Sequence, residues 1–166
     1  MSARFVSLIV TLAWAVFPVD AQVPASNPFA GHWKLIAADK ILPDGSRVPD
    51  YGDEPHGIAI FTSDGYFVVE VFRDVRVKFA SKDRAKGTPE EYKDASLSAS
   101  CSFGTYSVDP ATSKVTMKID RSTFPNSDET TQVRAYELKG GILSWKVPAR
   151  PDGSIPVTVL RRISAE

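Results

Sequence analysis

From Gly31 onward the chain is written in short runs of alternating apolar and polar residues, the period that sends successive side chains to opposite faces of a β-strand. Residues 33–38 form the first such run, and the Leu42-Pro43-Asp44-Gly45-Ser46 turn that follows leads into a short strand or extended segment ending near Asp50. The strongest local signal is residues 56–73, where two β-rich runs flank Asp64-Gly65, a pair suited to a two-residue hairpin turn. With Ser63 facing Tyr66, one face of this hairpin collects Ile58, Ile60, Phe67, Val69 and Val71, with His56 opposite Arg73 at its far end. The other face collects Phe61, Val68, Ala59, Glu70, Gly57 and Phe72; the first is the more apolar and is expected to face inward. Further strands are predicted over 103–109, 114–121, 131–138, 142–147 and 154–163, with turns at Pro110-Ala111-Thr112-Ser113 and Lys139-Gly140-Gly141.

Between Asp74 and Ser100 the alternation stops and charge rises. Thr88-Pro89-Glu90-Glu91 has the marks of a helix start: a capping hydroxyl, proline in the first turn, and acids near the positive end of the dipole. A helix is predicted to run to about Cys101. Its flank, residues 75–84, is too charged for a core and reads as a lid or rim loop. The pattern is therefore all-β, eight to nine strands with one inserted helix. Its two ends, Gly31-His32-Trp33 and Val157 to Arg162, suit a closed sheet in which Arg162 stacks on the Trp33 indole to plug the floor.

The N-terminal segment changes the address rather than the fold. Arg4, an apolar run from Phe5 to Phe17, and Pro18-Val19-Asp20-Ala21 read as a signal peptide over residues 1–21 cleaved after Ala21. The run is shorter than the roughly 20 residues a membrane-spanning helix needs, so no stable span is expected after cleavage. Export to the periplasm or the medium follows. Residues 22–28 read as a proline-containing linker and 29–166 as a single domain.

Composition removes several chemistries. Twenty basic residues balance twenty acidic ones, and no basic stretch alternates with aromatics, which argues against nucleic acid as a partner. Two histidines far apart and a single cysteine give no metal-ligand spacing, so no metal and no cofactor is expected. Cys101 reads as a buried thiol. Nucleophile-elbow, phosphate-loop and dinucleotide motifs are missing from the sequence.

Six ordered motifs, Gly31-His32-Trp33-Lys34-Leu35, Leu42 to Ser46, Thr62 to Tyr66, Lys86 to Tyr92, Phe103-Gly104-Thr105-Tyr106 and Gln132-Val133-Arg134, together resemble the bacterial and fungal lipocalin-like domain family over about Gly31 to Arg162. The resemblance implies a calycin-type antiparallel barrel, which agrees with the strand count reached from the pattern. It also implies either binding of a small hydrophobic molecule or, as in some lipocalin-like barrels, isomerase or cyclase chemistry; both are analogies from fold. Relatives often carry a histidine near Thr116-Met117-Lys118, and this chain does not, so histidine chemistry is not carried over.

The expected function is accordingly an exported barrel holding a small hydrophobic or amphipathic ligand. Ile58, Ile60, Phe67, Val69, Val71 and Met117 are expected to line it, with Arg73 or Arg134 meeting a polar head group. Arg134 and Tyr136 lie two apart and share a face. The alternatives are a cofactor-free isomerase or cyclase using Tyr136, Tyr106 or Glu70 as acid or base, and a filled barrel whose rim loop binds another protein.

Overall fold

The computed structural model describes residues 27–163. Among the described residues there are nine strands, which follow one another in space as in sequence except for β2: β1 (Gly31–Ile41), β2 (Arg47–Pro49), β3 (His56–Phe61), β4 (Tyr66–Phe72), β5 (Ala99–Asp109), β6 (Lys114–Ser122), β7 (Thr130–Lys139), β8 (Ile142–Lys146) and β9 (Ile155–Arg162). Pairing of β1 with β9 closes eight of them into an antiparallel barrel, and β2 hangs from the end of β1. One helix, α1 (Pro89–Leu97), is inserted between β4 and β5. The fold is the expected lipocalin-like antiparallel barrel, with one inserted helix. The predicted signal peptide and most of the predicted linker lie outside the described residues.

The up-and-down order separates the two ends. Residues 62–65, 110–113 and 140–141 make tight turns at one end, where β1 starts and β9 finishes. All longer connections, including the one carrying α1, crowd the other. Gly140 and Gly141 both adopt positive φ, as a two-residue hairpin turn requires.

The β3–β4 hairpin departs from expectation by one residue. Phe61 pairs with Phe67, Ala59 with Val69 and Gly57 with Val71, because the turn has three central residues, Ser63, Asp64 and Gly65, with Gly65 alone at positive φ. A one-residue slip turns β3 over relative to β4. Phe61 and Ala59 therefore join Phe67, Val69 and Val71 in the core, whereas Ile58 and Ile60 lie half-buried on the outer face.

The helix begins as predicted and ends early. The Thr88 hydroxyl accepts from the Glu91 amide at 3.2 Å while the Glu91 carboxylate accepts from the Thr88 amide at 2.7 Å, a complete capping box. After Leu97 the chain turns through the fully buried Ser98 straight into β5, so Cys101 sits on a strand, half-buried rather than buried. Residues 98–102 are small, and no bulky apolar residue among them marks the change from helix to strand.

Candidate functional site

The inward-facing positions differ between the two halves of the barrel. In the half nearer the tight turns they are bulky: Trp33, Leu35, Phe61, Phe67, Tyr106 and Leu143 are all buried, and Phe29 caps them from below. Phe29 meets Phe61 at 5.3 Å and Tyr136 at 4.8 Å between ring centres, both edge-on. The Arg162 guanidinium stacks 4.0 Å from the Trp33 ring centre and donates to the Ala30 and Pro28 carbonyls, each at 2.6 Å. The plug expected from the two chain ends is present. Gly31 makes it possible: its φ is 127°, and a Cβ there would stand 2.9 Å from an Arg162 nitrogen.

Toward the long connections the inward positions become small. The pairing of Val71 with Ser100, Val69 with Ser102, Ser102 with Ser122 and Ile119 with Thr130 carries serines and a threonine around the wall, and none of these hydroxyl residues is buried. Below them the floor is closed by Val69, Met117, Trp145 and Arg134. An eight-stranded barrel is just wide enough for side chains to fill it or to hold one small ligand. Here the first outcome holds in one half, and in the other several inward side chains are small.

Arg134 is the unusual member of this floor. It is 8 % exposed, and its guanidinium donates only to the neutral Gln132 side chain, at 2.8 and 3.3 Å. Among the described residues no carboxylate pairs with it. Burial without a counter-charge pushes its pKa down to about 10. The guanidinium lies 5.7 Å from the centre of the Trp145 ring. The Trp145 indole N–H, on a residue 2 % exposed, has no acceptor among the described residues.

The remaining candidates are placed as follows. Phe67, Val69, Val71 and Met117 are buried inside the barrel. Tyr136 shares the inward face of β7 with Arg134 but packs toward Phe29, beside a surface depression of about 470 Å³ near Pro28 and Pro110. Its hydroxyl pKa is raised by burial and by Asp109. Tyr106 is held at the floor: its hydroxyl donates to the Thr62 carbonyl at 2.9 Å and accepts from Asn27 at 2.7 Å. Burial is the main cause of its raised pKa. Glu70 pairs with Ile58 and Cys101 on the outer face. The three acid–base candidates are thus dispersed rather than gathered.

Arg73 is engaged at the rim. It forms an ion pair with Asp94 of α1 at 3.4 Å and donates to the Leu97 carbonyl, fastening the helix to the end of β4. The predicted rim segment is strapped to the same helix: the Ala80 amide donates to Glu91, and the Tyr92 hydroxyl bridges the Gly87 amide and the Arg84 carbonyl. Between segment and helix lies a groove of about 600 Å³ lined by Arg76, Phe79, Lys82, Arg84 and Tyr92 among others.

Sequence reasoning missed a second rim cluster. Asp50 accepts two hydrogen bonds from Arg150, at 2.6 and 3.2 Å, and pairs with Lys40 at 3.2 Å. Burial alone would raise its carboxyl, but the two cations hold it below the ordinary value. Beside it, burial pushes the Tyr51 hydroxyl up, with the Asp50 charge adding to the effect. Asp50 and Arg150 are a hundred positions apart, so no spacing could have joined them.

A family model described as a lipocalin-like domain matches residues 30–162. Among solved structures, a lipocalin-like protein from Bacteroides uniformis is 14 % identical, aligning 82 % of this chain with 99 % of its own at a TM-score of 0.43. A mutant of the fluorescent protein UnaG is also 14 % identical, over 82 % of this chain and 97 % of its own, with a TM-score of 0.37. No curated protein matches the chain.

Proposed function

The chain belongs to the lipocalin-like domain family, and from that premise we propose that it binds a small amphipathic molecule in the half of the barrel bounded by the long connections. The observation that carries this reading is the change in inward residues along the barrel axis, from Trp, Phe and Leu at the plugged end to Gly57, Ser100, Ser102, Ser122 and Thr130 at the other. Val69, Val71 and Met117 offer apolar contact, and burial of ligand carbon against them contributes about 25 cal/mol per Å² before the costs of association. The signal-like N-terminus supports an exported location, which N-terminal sequencing of the mature protein tests directly.

Native mass spectrometry of the protein purified from its own host tests the binding reading. A small molecule released on denaturation, and missing from a Ser102→Trp variant that fills the wall, is the expected result. An empty wild type that also gives no response to a hydrophobic fluorescent probe overturns it. A second reading rests on the groove between α1 and the rim segment, whose Arg76, Lys82 and Arg84 would meet an acidic protein surface. It predicts that a Lys82→Glu, Arg84→Glu double variant loses a protein partner while small-molecule binding is unchanged.

A further inference from the structure

Two donors at the barrel floor lack what burial ordinarily demands. A buried cation is normally paired, and a buried N–H normally has an acceptor, since each left unmet is costly. Among the described residues Arg134 has only the neutral Gln132 oxygen, and the Trp145 indole N–H has no acceptor. The two side chains are neighbours, with the guanidinium 5.7 Å from the indole ring centre. By contrast Asp50, Asp94 and Glu129, acids at or near the rim, each already pair with Lys40, Arg150, Arg73 or Arg121. The described residues thus supply anions to Arg73, Arg121 and Arg150 and none to Arg134.

We propose that the floor is an anion seat: the ligand carries a carboxylate, enters head first, and places its oxygens on the Arg134 guanidinium and the Trp145 indole N–H, leaving its apolar tail along Val69 and Val71 toward the rim. The inference rests on the binding reading above and adds the ligand's charge and its orientation. A planar guanidinium is suited to a carboxylate because its fork of donors matches two oxygens at once. Gln132 then acts as a holder. Its side-chain oxygen keeps the guanidinium in place without neutralising it, so the positive charge remains for the ligand. The wall hydroxyls of Ser102, Ser122 and Thr130 impose no second charge along the way.

The test compares decanoate with decanol, which share a chain and differ in head group, by titration calorimetry and by quenching of tryptophan fluorescence. Decanoate is expected to bind the wild type roughly 10- to 100-fold more tightly, the range spanned by a hydrogen bond to a charged group. Arg134→Gln should erase that preference while leaving decanol affinity within about twofold, and Trp145→Phe, which keeps a ring and deletes the N–H, should cost decanoate roughly fivefold to tenfold. Arg134→Lys, which retains the charge without the fork, should recover part of the preference and guards against misreading a folding defect. Equal binding of the two probes to the wild type would overturn the anion seat while leaving the binding reading intact. Preference for decanoate that survives Arg134→Gln would overturn the assignment to this residue. Failure of both probes to bind would overturn the seat and the binding reading together.

Discussion

The two halves of this barrel share the same strands and the same pleat, yet they solve opposite problems. At the plugged end most inward side chains are large, Ala59 and Gly104 excepted, and buried donors are met: the Trp33 indole N–H donates to the Phe29 carbonyl at 2.8 Å, and Arg162 satisfies two more backbone carbonyls. At the rim end the inward side chains are small, and at the boundary Arg134 and Trp145 keep donors unmet. The largest fully buried side chains gather mainly at the plugged end, and the proposed ligand site lies in the other half. The difference lies in side-chain size at inward positions, and bulges between Leu35 and Ala37 and between Phe103 and Gly104 interrupt the β1–β9 and β5–β6 ladders.

If that division is real, substitutions at the plugged end should cost most. Trp33→Ala removes a fully buried indole together with the stacking surface of Arg162 and the hydrogen bond to Phe29. A loss of about 4 kcal/mol is expected in urea unfolding, typical of a buried Trp truncation. A loss below about 1 kcal/mol would mean that the plug is ornamental and that the two halves are energetically alike.

The rim cluster sharpens the comparison because it gives the open half its own, pH-dependent support. Asp50→Ala leaves Arg150 and Lys40 without their shared acceptor and should cost about 2 kcal/mol near neutral pH. The folded-state pKa of Asp50 lies below its unfolded value. Its stabilisation is therefore fully present above the unfolded value of about 4 and is lost as pH falls through the folded one. The gap between wild type and variant should close in acid, whereas the Trp33→Ala gap should not. Unfolding curves of both variants at several pH values separate an electrostatic rim from an apolar floor.

A smaller effect is expected at the hairpin that positions the two halves. Gly65 closes the β3–β4 turn at φ 95°, and a Cβ there would lie 3.3 Å from the Tyr106 carbonyl. Gly65→Ala should cost about 1 kcal/mol, detectable as a lowered unfolding midpoint. Gly45→Ala, also at positive φ but with open space around it, separates backbone strain from crowding.

That hairpin also shows where reading the sequence succeeds and where it stops. Strand order, barrel closure and the Trp33–Arg162 plug were legible because alternation, turn residues and a Gly-x-Trp opposite a terminal Arg are local signals. Asp64-Gly65 was ambiguous, since the pair serves either as a two-residue turn or as the end of a three-residue turn with glycine at the left-handed position. Choosing between them turns over β3, which is why Ile58 and Ile60 were expected inside and Phe61 outside. The Lys139-Gly140-Gly141 connection was placed correctly, but Lys139 pairs with Ile142 and only the two glycines make the turn, both at positive φ. Arg134 could be nominated from its place on an alternating strand. Its want of a counter-charge could not, because that depends on which carboxylates the barrel brings near it, and the same holds for Trp145 and for the Asp50–Arg150 pair.

The most discriminating substitution is the one expected to disturb folding least. Ser102 lies on the inward wall without being buried, and neighbours Val69 and Ser122 across its two flanking strands. Ser102→Val suits a strand, adds no polar group and sits at a position that is not buried, so its effect on stability is expected to stay within about 0.5 kcal/mol. Introducing the same side chain at the plugged end, Ala59→Val, adds two carbons to a fully buried position and should cost roughly 1–3 kcal/mol through overpacking. Urea unfolding of the two variants side by side compares how each half accepts the same valine side chain. Tolerance at Ser102 and damage at Ala59 locate the spare volume of the barrel. Equal damage at both would mean the open half is packed as tightly as the closed one, and the case for a ligand inside it would fall with that result.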